Sequence, residues 1–125
     1  MGSGSGYRDG VKEYQTIDVL FGVKLITRKE NVGKKKMLVP DNTPSHSYTA
    51  NTIYARRGIK TQKIVQISFY QDHNKVLDID WGHVHDGLDI HVQEYKEGKR
   101  TGKTRAPTQE ELDLVNHIRR EDGQI

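Results

Sequence analysis

The chain has 125 residues, no cysteine, a formal net charge of +3 and 33% hydrophobic residues, a share below the roughly 45–50% of ordinary globular chains. That length fits one domain with a thin core. Disulfides, thiolate metal sites and cysteine nucleophiles are excluded, and no apolar run approaches the ~18 residues that span a bilayer.

Residues 1–6 ("MGSGSG") read as a flexible linker or cloning scar. Residues 7–38 read as an N-terminal strap. In it, "YRDGVKEYQT" (7–16) is a frayed helix or lead-in, and "IDVLFGVKLIT" (17–27) is one apolar strand, Gly22 arguing against a helix. "RKENVGKKK" (28–36) carries Asn31 and Gly33 and reads as a turn or exposed loop. Residues 39–51, with two prolines among Asp, Asn, Ser and Thr, form a loop.

Residues 52–125 read as the main domain. Strands are expected at 52–57, 63–70, 75–81 and 88–95, followed by a turn at "KEGK". In each of the last three, apolar residues alternate with polar ones: Val65, Ile67 and Phe69 against Gln66 and Ser68; Leu77, Ile79 and Trp81 against Asp78 and Asp80; Leu88, Ile90 and Val92 against Asp89, His91 and Gln93. "PTQEELDLVNHIRR" reads as a helix, with Thr108 and Glu111 as a capping box and Leu112, Val115 and Ile118 on its inner face. The expected fold is α+β: an antiparallel β-meander sheet of four to five strands with a C-terminal helix packed on one face.

Pairing apolar with apolar residues places Trp81 opposite Leu88, Ile79 opposite Ile90 and Leu77 opposite Val92. Asp78 then faces His91, and Asp80 faces Asp89 at about 5 Å, an unfavourable like-charge pair that needs a cation, a proton or another register. In the preceding hairpin an odd loop, with Asn74 in the left-handed region, brings Phe69 and Ile67 into apolar register.

"DIDWGHVHDGLDIHV" (78–92) gathers four aspartates and three histidines without one basic residue. Three readings are open. The polar face is a solvated sheet surface; or it cleaves RNA without metal; or it binds Mg²⁺, Mn²⁺ or Zn²⁺ through Asp78, Asp80, His83 and His85. In the second reading His83, His85 and His91 are candidates for proton transfer, with Asp78 setting the tautomer and pKa of His91. Arg56, Arg57, Lys60, Arg100, Lys103 and Arg105 are candidates for the phosphate. Residues 108–125 hold five acidic against two basic residues, a net −3, leaving +6 on the rest, which suits a polyanionic partner. Neither a Gly-rich phosphate loop nor a Gly-x-Ser-x-Gly elbow occurs, and the metal-independent reading needs no cofactor. His46, His73 and His117 read as surface residues and Trp81 as a core anchor.

The run "IVQISFYQDHNKVLDIDWGHVHDGLDIHVQEYKEGKR" resembles the C-terminal toxin domains of bacterial polymorphic toxins, of the contact-dependent-inhibition and Rhs kinds, and related short phage or mobile-element proteins. The resemblance covers about residues 52–105. Asp78-Ile79-Asp80, His91, Arg100 and the aromatic Tyr95 match its pattern. Gln93 stands where a second histidine is usual, and His83 and His85 are candidates to supply it. A toxin-like ribonuclease is implied, with RNA (tRNA included) as target and an immunity protein as partner. It would act in a bacterial cytoplasm, delivered from another cell. The phage-like alternative implies a non-enzymatic binder of a host protein or nucleic acid.

Overall fold

In a computed structural model of the chain, the structure describes residues 6–9 and 12–125. The linker expected at 1–6 lies, Gly6 apart, outside these. Nine strands form one sheet: β1 (Gly6–Asp9), β2 (Lys12–Leu20), β3 (Val23–Val32), β4 (Lys35–Val39), β5 (Thr52–Arg57), β6 (Ile64–Gln71), β7 (Asn74–Asp80), β8 (His91–Lys96) and β9 (Lys99–Arg105). The order is β1-β2-β3-β5-β6-β7-β8-β9, with β4 also on β3. One helix, α1 (Gln109–Glu121), ends the fold.

This corrects the expected four-to-five-stranded antiparallel meander: the fold is mostly β, and its sheet is mixed. Every pairing joins consecutive strands antiparallel except β3 with β5, which is parallel through Lys24↔Tyr54 and Leu25↔Ala55. The added strands come from 6–39 and 99–105. The run 17–27 is a hairpin rather than one strand, because Phe21 (φ 53°) and Gly22 (φ 77°) make a two-residue turn with both φ positive, the hairpin geometry in which glycine is most at ease. Likewise 28–36 is strand, turn and strand.

The sheet has two unlike faces. On one, Val23, Leu25, Ala55, Ile67, Ile79 and Val92 pack with Val115 and Ile118 of the helix. The helix begins as its sequence dictates. The Glu111 N–H donates to Thr108 Oγ1 at 3.2 Å, and the Thr108 N–H to Glu111 Oε1 at 2.8 Å. Its far end is tied down by Asp122, which accepts from the Ile64 N–H at 2.8 Å and from Arg57 at 2.9 Å. Trp81 packs against this core and donates its indole N–H to Gln124 at 3.2 Å.

The other face carries a buried tyrosine cluster, Tyr14, Tyr54 and Tyr70 with Ile26. The 40–51 loop lies over it. Tyr14 donates to the Asn42 carbonyl at 2.8 Å, Tyr70 to the Pro44 carbonyl, and Ser47 Oγ lies 2.6 Å from the Tyr54 hydroxyl. The loop thus satisfies phenols that burial would otherwise strand. Beyond its edge the same face continues as the candidate site. No helix among the described residues is long and apolar enough to cross a membrane.

Candidate functional site

Two polar rows cross β5–β8 on this second face. The first runs Arg56–Gln66–Asp80–His91, and the second Tyr54–Ser68–Asp78–Gln93. The β6–β7 hairpin has the expected apolar match, Ile67↔Ile79 and Phe69↔Leu77. It reaches it with a bulge at Phe69/Tyr70 and positive φ at Asp72 and His73; Asn74, expected left-handed, instead begins β7. The β7–β8 register is offset by two from the expected one: Asp80, not Asp78, faces His91, and Ile79 faces Val92. Asp89 lies exposed in the 81–90 loop, outside the ladder. The expected Asp80–Asp89 cross-strand pair therefore does not form.

In the second row the carboxylate is fully engaged. Ser68 Oγ donates to Asp78 Oδ1, and Thr43 Oγ1 lies 2.7 Å from Ser68 Oγ. With the serine proton committed to the carboxylate, the threonine is the donor. Lys75 Nζ stands 3.3 Å from Asp78 Oδ1 and 5.4 Å from the centroid of the Tyr95 ring. Burial, then the charge of Asp78 and a hydrogen bond to it, raises the Tyr95 pKa, with Arg100 opposing. Tyr95 therefore keeps its proton near neutrality and serves as a donor.

The first row is differently built. Asp80 Oδ2 accepts from Gln66 Nε2 at 3.3 Å, and Arg56, whose Nε bonds Gln66 Oε1 at 2.8 Å, comes within 3.9 Å of it. Asp80 Oδ1 accepts from the Gly82 N–H at 3.0 Å and turns to His83 Nδ1 (3.4 Å) and His91 Nε2 (4.0 Å). Gly82 eases a close approach to β6: a Cβ there would stand 3.1 Å from that of Val65, tight enough that Val65 would have to shift. A turn at Asp86–Gly87, closed by backbone bonds between His85 and Leu88, then presents His85. The rings of His83, His85 and His91 converge, with centroids 5.1 Å (83–91), 5.3 Å (85–91) and 6.2 Å (83–85) apart.

His91 is buried, its Nδ1 has no hydrogen-bond partner, and its Nε2 lies beyond hydrogen-bonding reach of Asp80. Burial is the largest influence on its pKa and lowers it; Asp80 pulls upward, and His83 and His85 add to the lowering. The Leu88 backbone also favours the charged ring, without meeting hydrogen-bond geometry at Nδ1. The ring is thus held neutral near physiological pH.

Both rows meet at a cavity of about 90 Å³ lined by Gln66, Asp78, Asp80, His83, His85, His91, Gln93, Tyr95, Arg100 and Thr104. All six residues expected to be catalytic (His91, Asp78, Asp80, His83, His85 and Arg100) line it. Of those expected at the phosphate, Arg56 supports Asp80. Arg57 is bound to Asp122 and to the Gln62 carbonyl. Arg105 forks onto Glu111 at 2.8 and 3.0 Å and reaches Glu94 at 3.3 Å. Lys60 and Lys103 are exposed and not among the cavity's lining. Sequence reasoning missed Thr43 and Lys75 on the second row, and Thr104 in the cavity wall. Among the described residues, one set of potential metal donors closes within 4.8 Å: Asp80, His83 and His91. Comparison with protein-family models, curated proteins and solved structures found no match to this chain.

Proposed function

We propose that the cavity is the reaction centre of a ribonuclease-like domain that breaks phosphodiester bonds in RNA. One observation carries the reading: an imidazole–carboxylate wall (Asp80, His83, His85, His91) meets an arginine and a phenol (Arg100, Tyr95) across one small cavity. Its volume is well under the ~300 Å³ of ordinary small-molecule pockets, which suits a single phosphoryl group with the rest of the chain lying outside. Arg100 would bear the added charge on the phosphoryl oxygens, with Tyr95, Gln93 and Thr104 as neutral donors. His85, half exposed at the rim with Asp86 3.5 Å away, stands apart from the contacts of Asp80 with His83 and His91 and would exchange a proton with a hydroxyl. The +6 carried by residues 1–107 favours a polyanion over a neutral substrate. A toxin-like setting, with tRNA among the targets and an immunity protein covering this face, agrees with the resemblance of residues 52–105.

The test is incubation of the purified protein with total tRNA, beside His85→Ala and Arg100→Ala. Cleavage should fall by about a hundredfold in either variant while circular dichroism stays native. No cleavage by folded wild-type protein would overturn the proposal and leave the face to a non-enzymatic binder.

A further inference from the structure

We propose that Asp80, His83 and His91 hold one divalent transition-metal ion of the zinc class, with His85 beside its open position. The ion's binding stands on geometry; what it does there rests on the phosphodiester reading.

Ligand atoms on one ion, with bonds near 2.1 Å, stand about 3.4 Å apart in a tetrahedral site. Asp80 Oδ1 is 3.4 Å from His83 Nδ1 and 4.0 Å from His91 Nε2. Two imidazoles bound to one tetrahedral ion place their ring centroids about 5 Å apart, and those of His83 and His91 are separated by 5.1 Å. All three ligand atoms lie within 4.8 Å of one another; an ion between them would draw in the exposed His83 side chain and close the Asp80–His91 gap by about 0.6 Å.

A second, independent observation points to a ligand. The His91 side chain is 8% exposed; its Nδ1 is buried without a partner, and its Nε2 faces Asp80 Oδ1 from 4.0 Å, beyond hydrogen-bonding reach. Buried polar groups are rarely left so. An ion at Nε2 would give that nitrogen a partner on the side that faces Asp80; Nδ1 lies across the ring and would not be served by it.

The surrounding groups behave as an outer shell. Gln66 and Arg56 hold Asp80 Oδ2 and leave Oδ1 turned to the histidines, the arrangement that fixes a carboxylate ligand in one orientation. Two or three imidazoles with one carboxylate suit zinc, cobalt or nickel. Magnesium prefers oxygen donors and retained water. Asp78 lies outside the converging set of donors, and Ser68 and Lys75 occupy its Oδ1. With three protein ligands, a fourth position stays open to the cavity and to His85. There the ion would place positive charge beside a phosphoryl oxygen, opposite Arg100.

The test is calorimetric titration of chelator-stripped protein with ZnCl₂, repeated with CoCl₂ while visible absorption is recorded. The expected result is one ion per chain, with cobalt giving the intense bands of a four-coordinate N/O site. Affinity should fall about tenfold or more in His83→Ala and His91→Gln and be unmoved by millimolar Mg²⁺. His83 is exposed on a loop, so that variant isolates binding from folding. No saturable binding by folded wild-type protein, or binding unaltered in both variants, would overturn the inference. The two proposals fail separately. Metal bound at these residues without RNA cleavage sinks only the ribonuclease reading. Cleavage by metal-free protein in EDTA, with no ion taken up, sinks only the metal site.

Discussion

Asp78 and Asp80 sit two residues apart on one strand, face the same way and are almost equally buried, at 6% and 7% exposed. Their surroundings nonetheless give them opposite work. Asp78 is closed off by a serine, a lysine and, through the serine, the crossing loop. Asp80 is gripped at one oxygen by Gln66 and Arg56, and its other oxygen, which accepts from the Gly82 N–H, is turned to the imidazoles of His83 and His91. Burial alone therefore does not mark a functional carboxylate. On the proposed reading, what marks it is an oxygen turned toward other donors that converge on it.

The contrast can be broken by removing each carboxylate in turn and measuring stability in EDTA by urea denaturation. Asp78→Ala removes the carboxylate from Ser68 and from Lys75, a side chain 12% exposed that keeps the Thr43 carbonyl at 3.4 Å, and should cost about 2–3 kcal/mol. Asp80→Ala removes a carboxylate 3.9 Å from Arg56, which keeps its hydrogen bond to Gln66, and should cost about 1 kcal/mol. Equal losses would mean that the two rows are both structural. A finer probe is Thr43→Val, which removes the loop's hydrogen bond to Ser68 and touches only the second row. It should cost about 1 kcal/mol and leave zinc affinity unchanged; a fall in affinity would show that the rows are coupled through β6.

How far the sequence revealed this arrangement depends on which half of the chain is considered. From 52 to 96 one sheet face is dry and the other polar, so alternation exposes the strands and which residues share a face. Alternation fixes parity but not offset. A slip of one residue inverts a strand, whereas a slip of two preserves every face. That is why His91 was expected opposite Asp78 and stands opposite Asp80. The clue to the true register was conformational: Gly82 and Asp86–Gly87 shape residues 81–90 into a loop, so Leu88 to Ile90 never join the ladder.

The N-terminal strands were less legible for a different reason. Residues 35–38 of β4 are all exposed, so no buried face imprints a pattern, and lysines at 34–36 read as loop. In 17–27 the turn is carried by Phe21 at positive φ, a conformation its identity does not announce. The helix, by contrast, was readable from its capping box alone. The cavity's rim of histidines was visible as composition, but its closure depended on a loop geometry that composition does not encode.

The lone parallel junction has a kinetic consequence. Every other strand pairing joins sequence neighbours, so two hairpin-built blocks, β1–β4 and β5–β9, can each form by short loop closures. The ladder between them is only Lys24↔Tyr54 and Leu25↔Ala55, thirty residues apart in sequence, and it joins the two blocks late because its loop closure is long. The junction should therefore be unformed in the folding transition state. Leu25→Ala is expected to quicken unfolding while leaving the refolding rate nearly unchanged, a split that stopped-flow measurements in denaturant would read directly. A slowed refolding rate would instead place this seam in the folding nucleus. As built, the sheet zips from its hairpins and closes last at its narrowest join, which is also where it would first part.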